Sequence, residues 1–150
     1  MIPMKIMFIS GKAQECDRIE QLIAEVDPRT FVFTRVQHLQ QAAEELIFDR
    51  YHLVFIYMRP GGQSELKLIR EINALTPCVP VMVIVEEDQT EIGRKAKAFG
   101  ARGFITQDRV NAKFIRFALD CMKNQNSSTH LSSPPEQYIL QTPDDPPPGV

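Results

Sequence analysis

The sequence predicts an α/β protein built on a doubly wound parallel sheet of five strands, in a repeated strand–helix order. Five short runs rich in β-branched and aromatic residues alternate with runs whose apolar residues recur three and four positions apart. Three of the strand runs are almost continuously apolar, which is typical of strands covered on both faces. The short connections favour crossovers that place helices on both sides of the sheet.

Each predicted strand is followed by a predicted helix. The strands are predicted at residues 5–10, 31–36, 52–57, 80–85 and 102–106. The apolar helix faces comprise Ile19, Leu22, Ile23 and Val26; Leu39, Ala42, Ala43, Leu46 and Ile47; Leu66, Ile69, Ile72 and Leu75; Ile92, Ala96 and Phe99; and Phe114, Ile115, Ala118, Cys121 and Met122. Ser64 is the predicted N-cap of the third helix, which Pro77 stops, and Gly100 is the predicted C-cap of the fourth.

The helix–strand pattern ends near residue 123, so we predict one domain over 1–123 and a tail or linker over 124–150. The last 27 residues hold six of the eleven prolines, no Lys or Arg, and one apolar cluster, Tyr138-Ile139-Leu140. Such a composition cannot bury a core of its own and predicts disorder. A docking arm is the alternative interpretation, because proline-rich segments also serve as binding peptides.

Composition excludes several classes of function. Apolar residues make up 43% and charged residues 24% of the chain, as in ordinary soluble domains. There is no apolar run of membrane-spanning length and no signal-peptide pattern, so we expect a cytoplasmic protein. The three cysteines are widely spaced, glycine-rich phosphate loops are absent, and the three histidines are scattered. We therefore predict no catalytic residue, metal or cofactor.

Charge is distributed unevenly along the chain. Residues 1–93 carry a net charge of −5, residues 94–123 carry +6, and residues 124–150 carry −3. The basic stretch predicts a partner-binding face made by Arg94, Lys95, Arg102, Arg109, Lys113 and Arg116. A solvated face balanced by local acids is the alternative. Nucleic-acid binding is not favoured, because the stretch has no recognition-helix pattern and the whole chain is mildly acidic.

Several local segments resemble the receiver domain of two-component response regulators, over about residues 4–123. MKIMFIS matches the start of a receiver, and HLVFIYMRPGG resembles the strand and loop that carry its phosphoacceptor. VPVMVIV resembles the fourth strand, and AFGARGFIT resembles the receiver junction into the fifth strand. The last match is the most specific, because Gly100 and Gly103 flank a fixed short turn. The resemblance implies a flavodoxin-like receiver fold whose fourth helix, fifth strand and fifth helix form the face for dimerisation or for an output partner.

The same resemblance implies that the phosphorylation chemistry has been lost. The acidic pair that holds Mg²⁺ in active receivers falls on Ser10 and Gly11. The phosphoacceptor aspartate falls on Tyr57, or on Ile56 when counted back from Pro60. The switch Ser or Thr falls on Val85, and the lysine that ends the fifth strand falls on Gln107. A set without carboxylates cannot bind Mg²⁺ in the usual way or accept a phosphoryl group.

Neighbouring groups do not replace the missing acids in this interpretation. Glu86, Glu87 and Asp88 form an acidic run that we interpret as a solvated helix entrance, not as a metal site. Tyr57 either fills the space left by the acids, which we favour, or places its hydroxyl in a hydrogen bond over the old pocket.

We therefore predict an atypical receiver, a pseudo-receiver, that serves signal transduction or a phosphorelay without being phosphorylated. It would act through a protein partner, an attached output domain or a homodimer. One alternative is an enzyme or small-ligand-binding flavodoxin-like domain that uses a strand-end crevice near Lys12, Tyr57, Glu87 and Gln107. Another is the N-terminal regulatory domain of a DNA-binding response regulator.

Overall fold

The computed structural model describes residues 4–28 and 31–123, which form five β-strands and five α-helices in strict alternation. The order is β1 (Met4–Ile9), α1 (Ala13–Val26), β2 (Phe31–Val36), α2 (Leu39–Phe48), β3 (Leu53–Tyr57), α3 (Gln63–Leu75), β4 (Val81–Val85), α4 (Thr90–Phe99), β5 (Gly103–Thr106) and α5 (Ala112–Lys123). The predicted α/β class and all ten elements are thereby confirmed. The predicted tail over 124–150 lies outside the described residues, and so stays a prediction.

The strands form one parallel sheet in the order β2-β1-β3-β4-β5. The strand order reverses between β1 and β3: the connection after β1 leads to one side of the sheet, and the connection after β3 leads to the other. A crevice therefore opens at the carboxyl ends of these two strands. No described helix is long and apolar enough to span a membrane.

The sheet separates two hydrophobic clusters. The first lies between the sheet and helices α1 and α5, and includes Phe8, Phe55 and Phe114. The second lies beneath α2, α3 and α4, and includes Met7, Ile56 and Ile69. All five residues of β3 and all five of β4 are buried, as expected for strands covered on both faces.

Three details of the helix predictions are wrong. Helix α3 begins at Gln63, and its N-cap is Gly62, with a left-handed φ of 48°, rather than Ser64. An added Cβ at Gly62 would lie 2.6 Å from Cε of Met58, so glycine fits this tight entry. Ile47 and Leu75 were assigned to buried helix faces, but their side chains are 64% and 56% exposed. Each lies at or next to the last residue of its helix, where the apolar period runs past the edge of the core. The predicted C-cap at Gly100 is confirmed, with φ of 124°.

Candidate functional site

The crevice at the carboxyl ends of β1, β3 and β5 contains a continuous chain of hydrogen bonds. The hydroxyl of Tyr57, the last residue of β3, donates to Oε1 of Gln107 at 2.5 Å. Nε2 of Gln107, the first residue after β5, donates to Oε1 of Glu15 at 2.6 Å. Glu15 lies in the first turn of α1, so the chain joins three elements that are remote in sequence.

Lys12 closes this chain at its other end. Its Nζ lies 3.5 Å from the hydroxyl oxygen of Tyr57, 3.4 Å from Oε1 of Glu86, and 4.8 Å from the centre of the Tyr57 ring. The ammonium group is therefore placed to donate to Tyr57 while Tyr57 donates to Gln107. The result is a polarised series that runs from a cation through a hydroxyl and an amide to a carboxylate. We call Lys12, Tyr57, Gln107 and Glu15 the crevice network.

The environment of the network shifts the pKa of two of its members. Burial raises the pKa of the Tyr57 phenol, and the nearby Lys12 ammonium opposes this increase only in part. For Lys12, desolvation lowers the pKa, but the hydrogen bonds to Tyr57 and Glu86 outweigh it and the pKa is raised. Tyr57 is therefore a neutral hydrogen-bond donor and Lys12 a cation at neutral pH.

Glu15 is the member that the sequence did not reveal. Its side chain is only 8% exposed, and its second oxygen, Oε2, is buried without a hydrogen-bond partner among the described residues. Its place at the start of α1 gives the carboxylate a favourable interaction with the amino end of the helix dipole. The signal in the sequence is faint, because an acid in a first helical turn is common on solvent-exposed helices.

The remaining positions marked by the receiver resemblance do not join the network. Ser10 is buried, and its Oγ accepts a hydrogen bond from the Lys12 backbone N–H at 2.9 Å, which shapes the turn before α1. Gly11 is exposed on the same turn. Val85 is fully buried in the cluster beneath α2, α3 and α4. Ile56 is buried in that cluster as well, so Tyr57 rather than Ile56 is the β3 residue that contacts Gln107.

Tyr57 combines the two interpretations that the sequence left open. Its ring is buried within the cluster under α1 and α5, as expected for a space-filling side chain. Its hydroxyl also donates a hydrogen bond to Gln107, which a simple filling role does not require.

The loop from β3 to α3 forms the other wall of the crevice. Pro60 precedes Gly61, whose φ is 89°, and the loop turns back toward α3. Oε2 of Glu65, a side chain only 3% exposed, accepts hydrogen bonds from the backbone N–H and from Nε of Arg59 at 3.2 and 2.9 Å. A cavity of about 330 Å³ lies between this loop and the turn before α1, with Lys12, His38 and Tyr57 among its lining residues.

The groups in the crevice offer little to a metal ion. Among residues 4–28 and 31–123, no three His, Cys, Asp or Glu side chains are grouped so that they could hold one. Glu86 interacts with Lys12, and the acidic run it begins lies in the loop before α4 rather than in the helix itself.

The six basic residues predicted to form a partner face lie around the edge strand β5. Helices α4 and α5 pack on opposite faces of the sheet and flank this strand. Four of the side chains are exposed and two, Arg102 and Arg109, are half-buried. The exposed four are Arg94, Lys95, Lys113 and Arg116. Two exposed acids, Asp108 and Asp120, lie among them and reduce the local positive charge.

Comparison with solved structures defines the fold class: the chain has the fold of response-regulator receiver domains. The signal receiver domain of an HD domain-containing protein from Pseudomonas fluorescens Pf-5 superimposes with a TM-score of 0.73 at 14% identity, over 87% of this chain and 95% of that one. A CheY-like receiver domain protein from Methanospirillum hungatei JF-1 gives a TM-score of 0.70 at 12% identity, covering 85% and 99% of the two chains.

A longer protein contains the same fold as one part. NtrX from Brucella abortus, in a complex with ADP, gives a TM-score of 0.71 at 18% identity, over 87% of this chain but only 29% of NtrX. No protein-family model matches the sequence, and no curated protein matches it significantly. At these identities the similarity shows the fold alone.

Proposed function

We propose that the chain is a pseudo-receiver: a signalling module that is not phosphorylated and that acts by binding a protein partner, an output domain or a second copy of itself. The observation that carries this proposal is the Tyr57–Gln107 hydrogen bond. By the receiver resemblance, Tyr57 and Gln107 stand where an active receiver carries its phosphoacceptor and its lysine. Here Tyr57 donates a hydrogen bond to Gln107, and Gln107 donates one to Glu15.

Chemistry supports the loss of phosphorylation. A phosphoacceptor needs a nucleophilic oxygen beside cationic stabilisation of the transferred group, and receivers also need carboxylate ligands for Mg²⁺. The phenol of Tyr57 is a weak nucleophile because it is protonated at neutral pH, and burial, which raises its pKa further, disfavours the phenolate. Lys12 is a cation near it, but Ser10 and Gly11 supply no carboxylate.

The crevice network also supports a fixed conformation. A phosphorylated switch works because the phosphoryl group binds one of two conformations better than the other. In this chain Tyr57 and Gln107, at two of the equivalent positions, already have partners within the protein, which favours one arrangement without a ligand. Control would then come from association, through the basic face around β5 or through a covalently attached domain.

The crevice itself favours one second candidate, a binder of small ligands. The 330 Å³ cavity beside Tyr57 is lined by Lys12, His38 and Arg59, which suit an anionic ligand. Glu65 already engages Arg59, and Glu86 engages Lys12, which weakens this candidate.

Amide NMR spectra of the whole chain test both candidates. We expect no shifts at Ser10, Tyr57, Val85 or Gln107 on adding Mg²⁺ alone or Mg²⁺ with beryllofluoride. Saturable shifts that require Mg²⁺ and beryllofluoride together would refute the pseudo-receiver. Shifts with inorganic phosphate alone, independent of Mg²⁺, would instead favour the ligand-binding candidate.

Sedimentation tests the proposed partner face. If the chain dimerises through the face around β5, reversing the charge of Lys95 and Lys113 together should abolish association that depends on protein concentration. Lys67→Glu is the matched control, because Lys67 is an exposed lysine on α3, away from that face. Equal effects of the two changes would argue against the proposed face and for a general charge effect.

A further inference from the structure

An apolar groove lies at the amino ends of strands β3 and β4, at the end of the sheet opposite the crevice. It is formed by the end of α2 with the loop into β3, and by the end of α3 with the loop into β4, and it encloses about 680 Å³. Among the described residues, four large apolar side chains are exposed, and three of them line this groove: Ile47, Phe48 and Leu75. We call this site the lower groove.

This concentration of exposed apolar surface is typical of a binding site. Phe48 is 86% exposed at the end of α2, and Ile47 beside it is 64% exposed, whereas Ala42 and Leu46 of the same helix are buried in the core. Isolated exposed apolar residues are ordinary in soluble proteins, but contiguous ones beside a cavity typically mark a binding surface. Receiver chemistry does not account for the lower groove, because the crevice lies at the other edge of the sheet.

Helix α5 ends on the same side of the sheet as the lower groove. In a parallel sheet each helix runs back toward the amino ends of the strands, and α5 is the last helix. Phe117 lies beside Gly103, the first residue of β5. Lys123 is six residues further along, about 9 Å of helix at 1.5 Å per residue. Lys123, the last described residue, therefore lies beyond the amino ends of the strands, on the side of the molecule where the lower groove is.

The length and composition of the following residues fit the groove. Residues 124–137 number 14 and can span at most about 46–50 Å when extended. The route from α5 to the groove crosses from one face of the sheet to the other, about 20 Å for a helix layer on each side. That length is sufficient for Tyr138-Ile139-Leu140, the sole cluster of three large apolar residues between 124 and 150, to lie in the groove.

Charge is compatible with the same assignment. The segment 124–150 contains no Lys or Arg, and Glu136 lies two residues before Tyr138. Arg50 is exposed on the wall of the groove. The acid on that wall, Asp49, is bonded to Lys5, which reduces its repulsion of Glu136. We propose that Tyr138-Ile139-Leu140 of the same chain occupies the lower groove. This proposal does not depend on whether the crevice can be phosphorylated.

Native Cys78 provides a direct measure of occupancy. It is exposed and lines the groove, whereas Cys16 and Cys121 are buried. Burial raises the pKa of both of those thiols, to about 11 for Cys121, so they react slowly. The fast phase of reaction with Ellman's reagent in the full chain therefore reports the accessibility of Cys78.

The test replaces Tyr138, Ile139 and Leu140 by serine together. A tethered segment has an effective concentration of the order of millimolar, enough for weak apolar docking to protect most molecules. We expect the triple change to accelerate the Cys78 reaction about threefold to tenfold. Leu131→Ser, an equal loss of apolar character elsewhere in 124–150, should leave the rate unchanged. Circular dichroism verifies that each variant is folded.

Phe48→Ser provides the reciprocal test on the groove. It should accelerate the Cys78 reaction to a similar extent, and combining it with the triple change should add nothing further. An unchanged rate in the triple variant would overturn the proposal, and so would additive effects. Protection of Cys78 that grows with protein concentration would assign the groove to a second copy of the chain and would also overturn it.

Discussion

Removal of the Tyr57 hydroxyl is the most direct test of the crevice network. Tyr57→Phe keeps the buried ring but deletes the hydrogen bond to Gln107 and leaves Oε1 of Gln107 without its donor. Losing one partner of a buried hydrogen bond costs about 1–3 kcal/mol. Gln107 is only half-buried and Lys12 is largely solvated, so the lower part of that range applies, about 1–2 kcal/mol.

The corresponding change in melting temperature is large enough to measure. At about 2.1 cal/mol/K of unfolding entropy per residue, a domain of about 120 residues loses about 4 °C for each kcal/mol. Tyr57→Phe should therefore lower Tm by about 4–8 °C in differential scanning calorimetry. An unchanged Tm would refute the view that the network stabilises the fold.

A double-mutant cycle separates the hydrogen bond from other effects of the substitution. Gln107→Ala removes the acceptor, and the double variant removes both groups. If Tyr57 and Gln107 act as a unit, their effects should be non-additive by about 1 kcal/mol. Additive effects would mean that Tyr57 contributes through its ring alone.

The pH dependence has a defined sign. The pKa of Tyr57 is raised above its ordinary value of 10.0 by burial, so the unfolded chain ionises this tyrosine at lower pH than the folded chain does. The contribution of its protonated hydroxyl is complete below about pH 10, and is lost as pH rises through the higher folded-state pKa. The Tm difference between the native chain and Tyr57→Phe should therefore narrow above about pH 10.

Three further predictions concern the crevice wall, the packing of β5 and the position that the receiver resemblance gives to the phosphoacceptor. Glu65→Ala removes the buried acceptor of two Arg59 hydrogen bonds and should lower the free energy of unfolding, measured by urea denaturation, by about 1–3 kcal/mol. A decrease below about 0.5 kcal/mol would contradict a structural role for Glu65. Gly93→Ala would place a Cβ 2.3 Å from the Phe104 ring. It should lower the free energy of unfolding by about 1–3 kcal/mol, although alanine has the higher helix propensity. Gly11→Ala is the control, because a Cβ there meets open space, and it should be nearly neutral. Tyr57→Asp alone should not allow phosphorylation by acetyl phosphate, because Ser10 and Gly11 provide no carboxylate ligands for Mg²⁺. A stoichiometric acyl phosphate in mass spectrometry would show this reasoning to be wrong.

The fold could be predicted from the sequence because its signals are local. The strands at 52–57 and 80–85 were predicted to within one residue, since continuous apolar runs bounded by turn residues have few alternatives in an α/β chain. Errors occurred where a local pattern continues past the core. Ile47 and Leu75 keep the helical period, but the sheet no longer covers them.

The site was predictable only in part. The end of each strand could be located, and in a parallel sheet the strand ends share one edge, so the proximity of Tyr57 and Gln107 could be expected. Glu15 could not be assigned, because its contact with Gln107 spans 92 positions of sequence and depends on how α1 tilts over the sheet. The exposed groove around Phe48 likewise emerges only when two loops meet in space.

The side chains of β3 pack alternately on the two faces of the sheet, which separates the crevice from the cluster on the opposite face. Tyr57 faces the cluster under α1 and α5, while its neighbours Ile56 and Met58 face the cluster under α2, α3 and α4. Alternate residues of this one segment thus pack into the two hydrophobic clusters on opposite faces of the sheet. The side chain at position 57 can therefore change without repacking the half of the molecule that carries the lower groove. The surface on that half, with the lower groove, is in this way structurally independent of the polar groups in the crevice.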